Sequence, residues 1–143
     1  MTVHLIKMAV GVDGYEALVR RQASRRAALE DGERLRHVTR NMPRRAEEVL
    51  AGGSIYWVMS GAVRARQAIV GLEQVPSNDG RPRCAILLDD SVVATEPQPY
   101  RPFQGWRYLA EEDAPRDRPA GYDDGLDTLP PAMLKELRTL GLV

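Results

Sequence analysis

Residues 37–69 read HVTRNMPRRAEEVLAGGSIYWVMSGAVRARQAI, and their pattern decides the fold. A strand over Arg36–Asn41 must stop at Pro43, which lacks the N–H a ladder needs but suits the first turn of a helix. The spacing then predicts a short helix over Pro43–Ala51, with Ala46, Val49 and Leu50 on one face and Arg44, Arg45, Glu47 and Glu48 turned away. Gly52 and Gly53 end it, because glycine enters the left-handed cap conformation without penalty. Ile55-Tyr56-Trp57-Val58-Met59 is β-branched and aromatic, a strand signal. After Gly61, Val63, Ala65 and Ile69 alternate with Arg64, Arg66 and Ala68, which suits a strand over 62–75. A helix competes there, since Val63, Arg66 and Val70 fit its period. Gly71 and the valines favour the strand.

Upstream, residues 2–10 alternate as a buried strand. Gly11 and Gly14 bracket a turn with Asp13 as a helix cap. A helix follows over Tyr15–Leu29, with Leu18, Ala28 and Leu29 inward and arginines 20, 21, 25 and 26 on a solvated face. Downstream, Pro76-Ser77-Asn78-Asp79-Gly80 carries a hairpin signal, and Arg83–Leu88 reads as the returning strand. Val92–Pro102, broken by Pro97, Pro99 and Pro102, reads as a fixed loop or edge segment and not as a central strand. Phe103 to Leu109 is a second aromatic cluster. Residues 110–128 are acidic and rich in Pro and Gly, a surface loop, and Pro130-Pro131 open a last helix over Ala132–Leu140. These elements make residues 1–143 one α+β domain, with flanking helices on a small, mainly antiparallel, curved sheet or pseudo-barrel.

A chain of 143 residues buries a real core without staples, and 43% hydrophobic with 28% charged residues is the balance of a soluble globular protein. No apolar run approaches the ~20 residues of a membrane span, and MTVHLIKMAV lacks the features of a secretion signal. The one cysteine, Cys84, lies in an apolar run, which points to a packed thiol and a cytoplasmic setting. The net charge of zero hides an asymmetry. Residues 1–83 carry 14 Lys+Arg against 9 Asp+Glu, and residues 84–143 carry 6 against 11. Only Lys7 and Lys135 of the basic residues are lysine, so the chain favours the side chain that forks onto phosphate and stacks on bases.

No phosphate-binding glycine loop, dinucleotide fingerprint or nucleophile elbow is present in the sequence. His4 and His37 fall in strands without metal-ligand spacing and read as structural, and a single cysteine does not build the usual zinc site. Neither a cofactor nor a metal is expected. What stands out is arginine mixed with aromatics. Arg40, Arg44 and Arg45 lie at a strand-to-helix junction. Tyr56, Trp57, Arg64, Arg66 and Gln67 follow, then Gln104, Trp106 and Arg107 beside Phe103 and Tyr108. Planar rings for stacking with arginines for phosphate are what looped or single-stranded nucleic acid requires. The opposing reading places the aromatics of alternating strands in the core, Trp57 foremost.

The motifs TR-x-x-P-x-RAEE, GGSIYWV, ARQ-x-I, RCAILLD and RPFQGWRYL resemble a family of small bacterial proteins known only as a domain of unknown function. That resemblance runs from Val3 to the C-terminal LPPAMLKELRTLGL and implies no activity. The order of strand, short arginine-bearing helix, glycine, aromatic strand and long hairpin also resembles the PUA-like superfamily, with its ASCH and EVE domains. That likeness implies a pseudo-barrel that binds RNA or modified bases in a cleft beside the short helix, with Arg40, Arg44 and Arg45 at its edge. The expected role is a non-enzymatic module for RNA or a nucleotide-like ligand. The alternatives are a small-molecule enzyme such as a hydrolase, using Glu47, Arg45 and Tyr56, or a protein-docking or homodimerising domain.

Overall fold

Ser60 and Gly61 join two strands with φ of 50° and 79°, positive at both positions. A two-residue hairpin turn of that kind matches the natural twist of its strands. The strands are β3 (Ser54–Met59) and β4 (Ala62–Val75), and they centre a sheet of six. The computed structural model describes residues 2–118. The other strands are β1 (Val3–Met8), β2 (Arg36–Thr39), β5 (Arg83–Pro99) and β6 (Trp106–Ala110), in the order β2-β5-β4-β3-β1-β6. Only β1 and β3 run parallel; the other four neighbouring pairs are antiparallel. The sheet curls into a half-barrel and carries two helices, α1 (Tyr15–Ala27) and α2 (Ala46–Leu50). This is the expected α+β curved sheet. The acidic loop beyond residue 118 and the C-terminal helix lie outside the described residues.

Every residue of β3 is buried, because both faces of the central strand are covered. Ile55, Trp57 and Met59 pack with Leu5, Leu18 and Ile86 on one face. Tyr56 and Val58 pack with Ile6, Val63 and Leu109 on the other. Helix α2 has five residues, too few to stand alone, and Val49, fully buried, anchors it. Burying such a side chain contributes about 1.5–3 kcal/mol. Leu50, expected inward, is exposed. Gly52 has φ +90°, as expected of a helix stop, but Gly53 serves another purpose. A Cβ there would overlap the carbonyl oxygens of Val49 and Val3, so glycine lets α2 close onto β1.

Two expectations are corrected. Val92–Pro99 is no loop: it is the second half of the 17-residue β5, and it keeps the edge position of the other alternative, because it pairs with β4 while β2 reaches only Cys84 to Leu87. Pro97 is tolerated because the ladder slips there, and Pro99 is the last residue of the strand, opposite Ala62. Val63 pairs with Gln98 and Ala65 with Ala94, so Glu96 and Pro97 fall in a bulge. Helix α1 ends at Ala27, two residues early, and Ala28 is exposed. Its inward polar residue is Gln22, and its N-cap is Gly14 without a side-chain cap, in place of Asp13.

Candidate anion-binding cleft

The strands β2 and β6 are the two edges of the sheet, yet the curl brings β6 against the chain that follows β2. Trp106 Nε1 donates to the Asn41 carbonyl at 2.9 Å, and the Tyr108 hydroxyl accepts the Arg45 backbone N–H at 3.1 Å. A cleft of about 1160 Å³ opens between these edges and the 76–79 turn. Four cations line it, Lys7, Arg36, Arg40 and Arg83, against the single carboxylate of Asp79. Alternation along β2 sends Arg36, Val38 and Arg40 to the same side, which is why one short strand supplies two of the charges. Lys7 sits in register with Trp57 on one side and Trp106 on the other. A smaller recess of about 370 Å³ shares Arg40, Asp79 and Arg83 and adds Arg81. Same-sign charge along a groove focuses the field on an anion.

Asp79 is committed to the turn. It holds Ser77, accepts the Arg81 backbone N–H at 3.0 Å and pairs with Arg83 at 2.8 Å. These partners, the Ser77 hydroxyl first, pull its carboxyl down to about 2. It remains ionised and fixes Arg83 without cancelling Lys7, Arg36 or Arg40. None of those three side chains makes a hydrogen bond or ion pair with another described residue.

Below the cleft, between α1 and the sheet, lies a second space of about 140 Å³. Leu18, Leu35, Trp57 and Leu88 form its buried side. Lys7, Arg21, Arg25 and Arg36 form the rest of its charged lining, with no carboxylate among them. His37 stands there edge-on to Trp57, with ring centres 5.4 Å apart. Burial, then Lys7, Arg25 and Arg21, push its imidazole down to about 4, so it is neutral at pH 7. Its Nε2 is shielded from solvent and without a hydrogen-bond partner, a condition that costs about 1–3 kcal/mol. His4 differs: its Nδ1 accepts the Ser54 backbone N–H at 2.9 Å, a structural role for a neutral ring. Burial lowers its pKa as well.

A model for the family described as protein of unknown function, DUF1489, matches residues 5–143. The chain belongs to that family. No curated protein and no solved structure matches the chain.

In this DUF1489 chain the residues singled out from sequence separate into three groups. Arg40, Gln104 and Trp106 line the cleft. Arg44, Arg45 and Arg107 are exposed outside it. Arg45 pairs with Glu48 and lies over the Tyr108 ring at 5.4 Å, while Arg107 lies over Phe103 at 4.8 Å. The third group is structural. Tyr56, Trp57, Arg64 and Gln67 are buried, and Arg66 grips Asp117 through two bonds of 2.6 and 2.7 Å. Arg64 is the extra residue of a β-bulge, opposite the step from Trp57 to Val58. Its guanidinium donates to the carbonyls of Met59 (2.7 Å) and Ser60 (3.2 Å) and so braces the hairpin turn. Lys7, Arg36 and Arg83 are cleft residues that sequence reasoning missed. The alternation Arg36-x-Val38-x-Arg40 was the available signal for the first of the two β2 arginines.

Among the described residues no cluster of His, Cys, Asp or Glu is arranged to hold a metal ion. No helix there is long and apolar enough to cross a membrane. Glu48 and Asp117, like Asp79, are shifted toward stronger acid, the first two by the hydrogen bonds of Arg45 and Arg66. Such carboxylates are poor proton donors at neutral pH.

Proposed function

We propose that the cleft binds RNA or a nucleotide-like ligand, with Lys7, Arg36, Arg40 and Arg83 on phosphates and the Trp106 indole against a base. The observation that carries this reading is the four-to-one excess of cations in one open groove with a half-buried tryptophan at its rim. A structural salt-bridge network would balance its charges. Here the side chains of three of the cations line the groove without a partner among the described residues, an arrangement suited to phosphate oxygens. The groove, at about 1160 Å³, lies at the upper end of the about 300–1,000 Å³ of small-molecule sites, which gives room for a nucleotide or a short length of strand. The resemblance in element order to PUA-like RNA binders supports the same reading, because the groove opens beside the loop leading into α2.

The test is a fluorescence-anisotropy titration with single-stranded RNA, structured RNA, duplex DNA and a labelled ribonucleotide at two salt concentrations. Affinity is expected to fall as salt rises, and Arg40→Ala to weaken binding and reduce the salt slope by about one. Trp106→Ala is expected to remove a stacking contribution of about 1–3 kcal/mol. Absence of binding to every probe at low salt overturns the reading.

A further inference from the structure

The 140 Å³ space beneath the cleft has a lining that packing alone does not account for. Leu18, Arg21, Gln22 and Arg25 reach it from α1 at positions i, i+3, i+4 and i+7, one stripe of the helix. Leu18 and Gln22 are the buried members of this stripe, and its two arginines are exposed, so they border the mouth of the space and not its buried side. Gln22 is explained by its paired amide bonds to Gln67, at 2.6 and 2.8 Å. Arg21 donates to the Val10 carbonyl at 2.6 Å, which aims its head at the pocket mouth without neutralising it. The side chains of Arg25, Arg36 and Lys7 have no hydrogen-bond or ion-pair partner among the described residues. In a chain whose total charge is zero, four cations and, among the described residues, no carboxylate surround one small space.

We infer that this pocket holds the terminal phosphate monoester of the ligand lying in the cleft, gripped by Arg21 and Arg25 from the helix and by Lys7 and Arg36 from the sheet. The inference rests on the cleft reading for the remainder of the ligand. Size and charge select the group. The space is well below the about 300 Å³ of a whole-ligand site, so it takes one substituent. A carboxylate brings a single charge, whereas a phosphate monoester brings about −1.5 to −2 at pH 7 and three acceptor oxygens for forked arginine donors. Lys7 and Arg36 border both spaces, so a strand in the cleft places its end at the pocket. Trp57, Leu35 and Leu88 back the site with a surface that offers water no competing hydrogen bonds, other than the Trp57 N–H already turned to Gln67.

The experiment compares one oligoribonucleotide carrying a 5′-phosphate, a 3′-phosphate or hydroxyls at both ends, and follows the His37 ring by NMR while inorganic phosphate is added. One phosphorylated end is expected to bind about tenfold tighter than the hydroxyl form, the value of one charge-assisted contact set. Arg25→Ala is expected to bring that ratio close to one. The substitution sits on an exposed helix position where alanine is the best helix former, so the fold persists. Inorganic phosphate is expected to raise the His37 titration midpoint, because it offsets Lys7, Arg21, Arg25 and the adjacent Arg36. Equal affinity for all three ends overturns the pocket and leaves the cleft reading standing. No RNA binding with a phosphate response at His37 overturns the cleft reading and keeps the pocket as a site for a small phosphate ester. No RNA binding and no response at His37 overturns both.

Discussion

The β3–β4 hairpin and the cleft between the sheet edges use the same residue types to opposite ends. In the hairpin, Trp57, Arg64 and Gln67 are buried and their polar atoms are consumed internally. Trp57 Nε1 donates to Gln67 Oε1 at 3.3 Å, Gln67 Nε2 donates to Gln22 Oε1 and to the Asp89 carbonyl, and Arg64 holds two turn carbonyls. In the cleft, Arg36 and Arg40 are exposed and Trp106 keeps part of its ring at the surface. The difference lies in strand position. A central strand covered on both faces must satisfy each polar group within the protein, since an unpaired one is costly. An edge strand leaves its side chains to solvent or a ligand. Residue type therefore indicates what a side chain is able to do, and its place in the strand order decides whether it does so.

The sharpest way to break the comparison is to remove each tryptophan in turn. Trp57→Ala is expected to cost about 3–5 kcal/mol, because it removes a large side chain that is only 4% exposed. Trp106→Ala is expected to cost about 1–2 kcal/mol, since less of its surface is buried and one hydrogen bond is lost. Urea midpoints at constant m-value give both numbers. Equal losses would mean that Trp106 is core and leaves no ring for a base. Gln67→Leu comes next. It strands the Trp57 N–H and the Gln22 amide, and a loss of about 1–3 kcal/mol is expected in the same titration. A neutral or stabilised variant would show that the buried amide pair contributes nothing net.

Much of the hairpin was legible in the sequence because its signals are local. Gly61 marks the turn, the Ile55–Met59 run marks the strand, and alternation places Tyr56 and Trp57 on opposite faces. That both faces are covered is not a local property. It follows from strand order, and so it moved Tyr56 from candidate platform to core. The length of β5 was hidden because Pro97 and Pro99 normally mark the end of pairing, and the bulge that admits Pro97 ahead of the terminal Pro99 depends on the β4 register. The cleft was the least legible part. Lys7 comes from β1, Arg36 and Arg40 from β2 and its end, Arg83 from β5 and Trp106 from β6, so only the curl of the sheet assembles them. The arginines of α1 read as a solvated face, and Arg20, Arg21 and Arg25 are exposed; what the pattern did not show is that Arg21 and Arg25 border the small space beside the sheet and that Arg26 donates to the Asp90 carbonyl at 3.0 Å.

His37 lies where hairpin and cleft meet, against Trp57 and beside Arg36, and its titration sharpens the boundary. Its folded pKa is lowered from 6.5 to about 4, by burial first and then by the neighbouring cations. Between those values the unfolded chain binds the proton and the folded chain does not. The unfolded state therefore holds more protons, and stability rises with pH across the window. The contribution is full above pH 6.5 and lost progressively as pH falls toward about 4. Denaturation midpoints measured from pH 7 to 4 should fall along this course, and His37→Gln should flatten it. An unchanged slope in His37→Gln would assign the acid sensitivity elsewhere, with His4, also lowered by burial, the next group to replace.

The smallest expected effect tests the comparison within one strand. Arg64 and Arg66 are two residues apart on β4, yet the first braces a turn from inside while the second reaches Asp117 at the surface. Asp117 lies in the segment that runs along β5, held by Glu96 N–H to the Arg116 carbonyl at 2.7 Å and Arg118 N–H to the Ala94 carbonyl at 2.9 Å. The side chains of the pair are 27% and 43% exposed. Solvent screening therefore limits Asp117→Asn to a loss of about 0.2–1 kcal/mol, shrinking further near 1 M salt. The Arg66 hydrogen bond holds the Asp117 carboxyl below its usual 3.8, so this small stability is present above that pH and disappears as pH falls below it. The decisive reading is a second one, the affinity for RNA. Unchanged affinity in Asp117→Asn leaves Arg66 as a clamp on the β5 flank and keeps ligand contacts at the sheet edges. Tighter binding would show that Asp117 masks a ligand-facing arginine, and the line between structural centre and binding edge would then run through β4 itself.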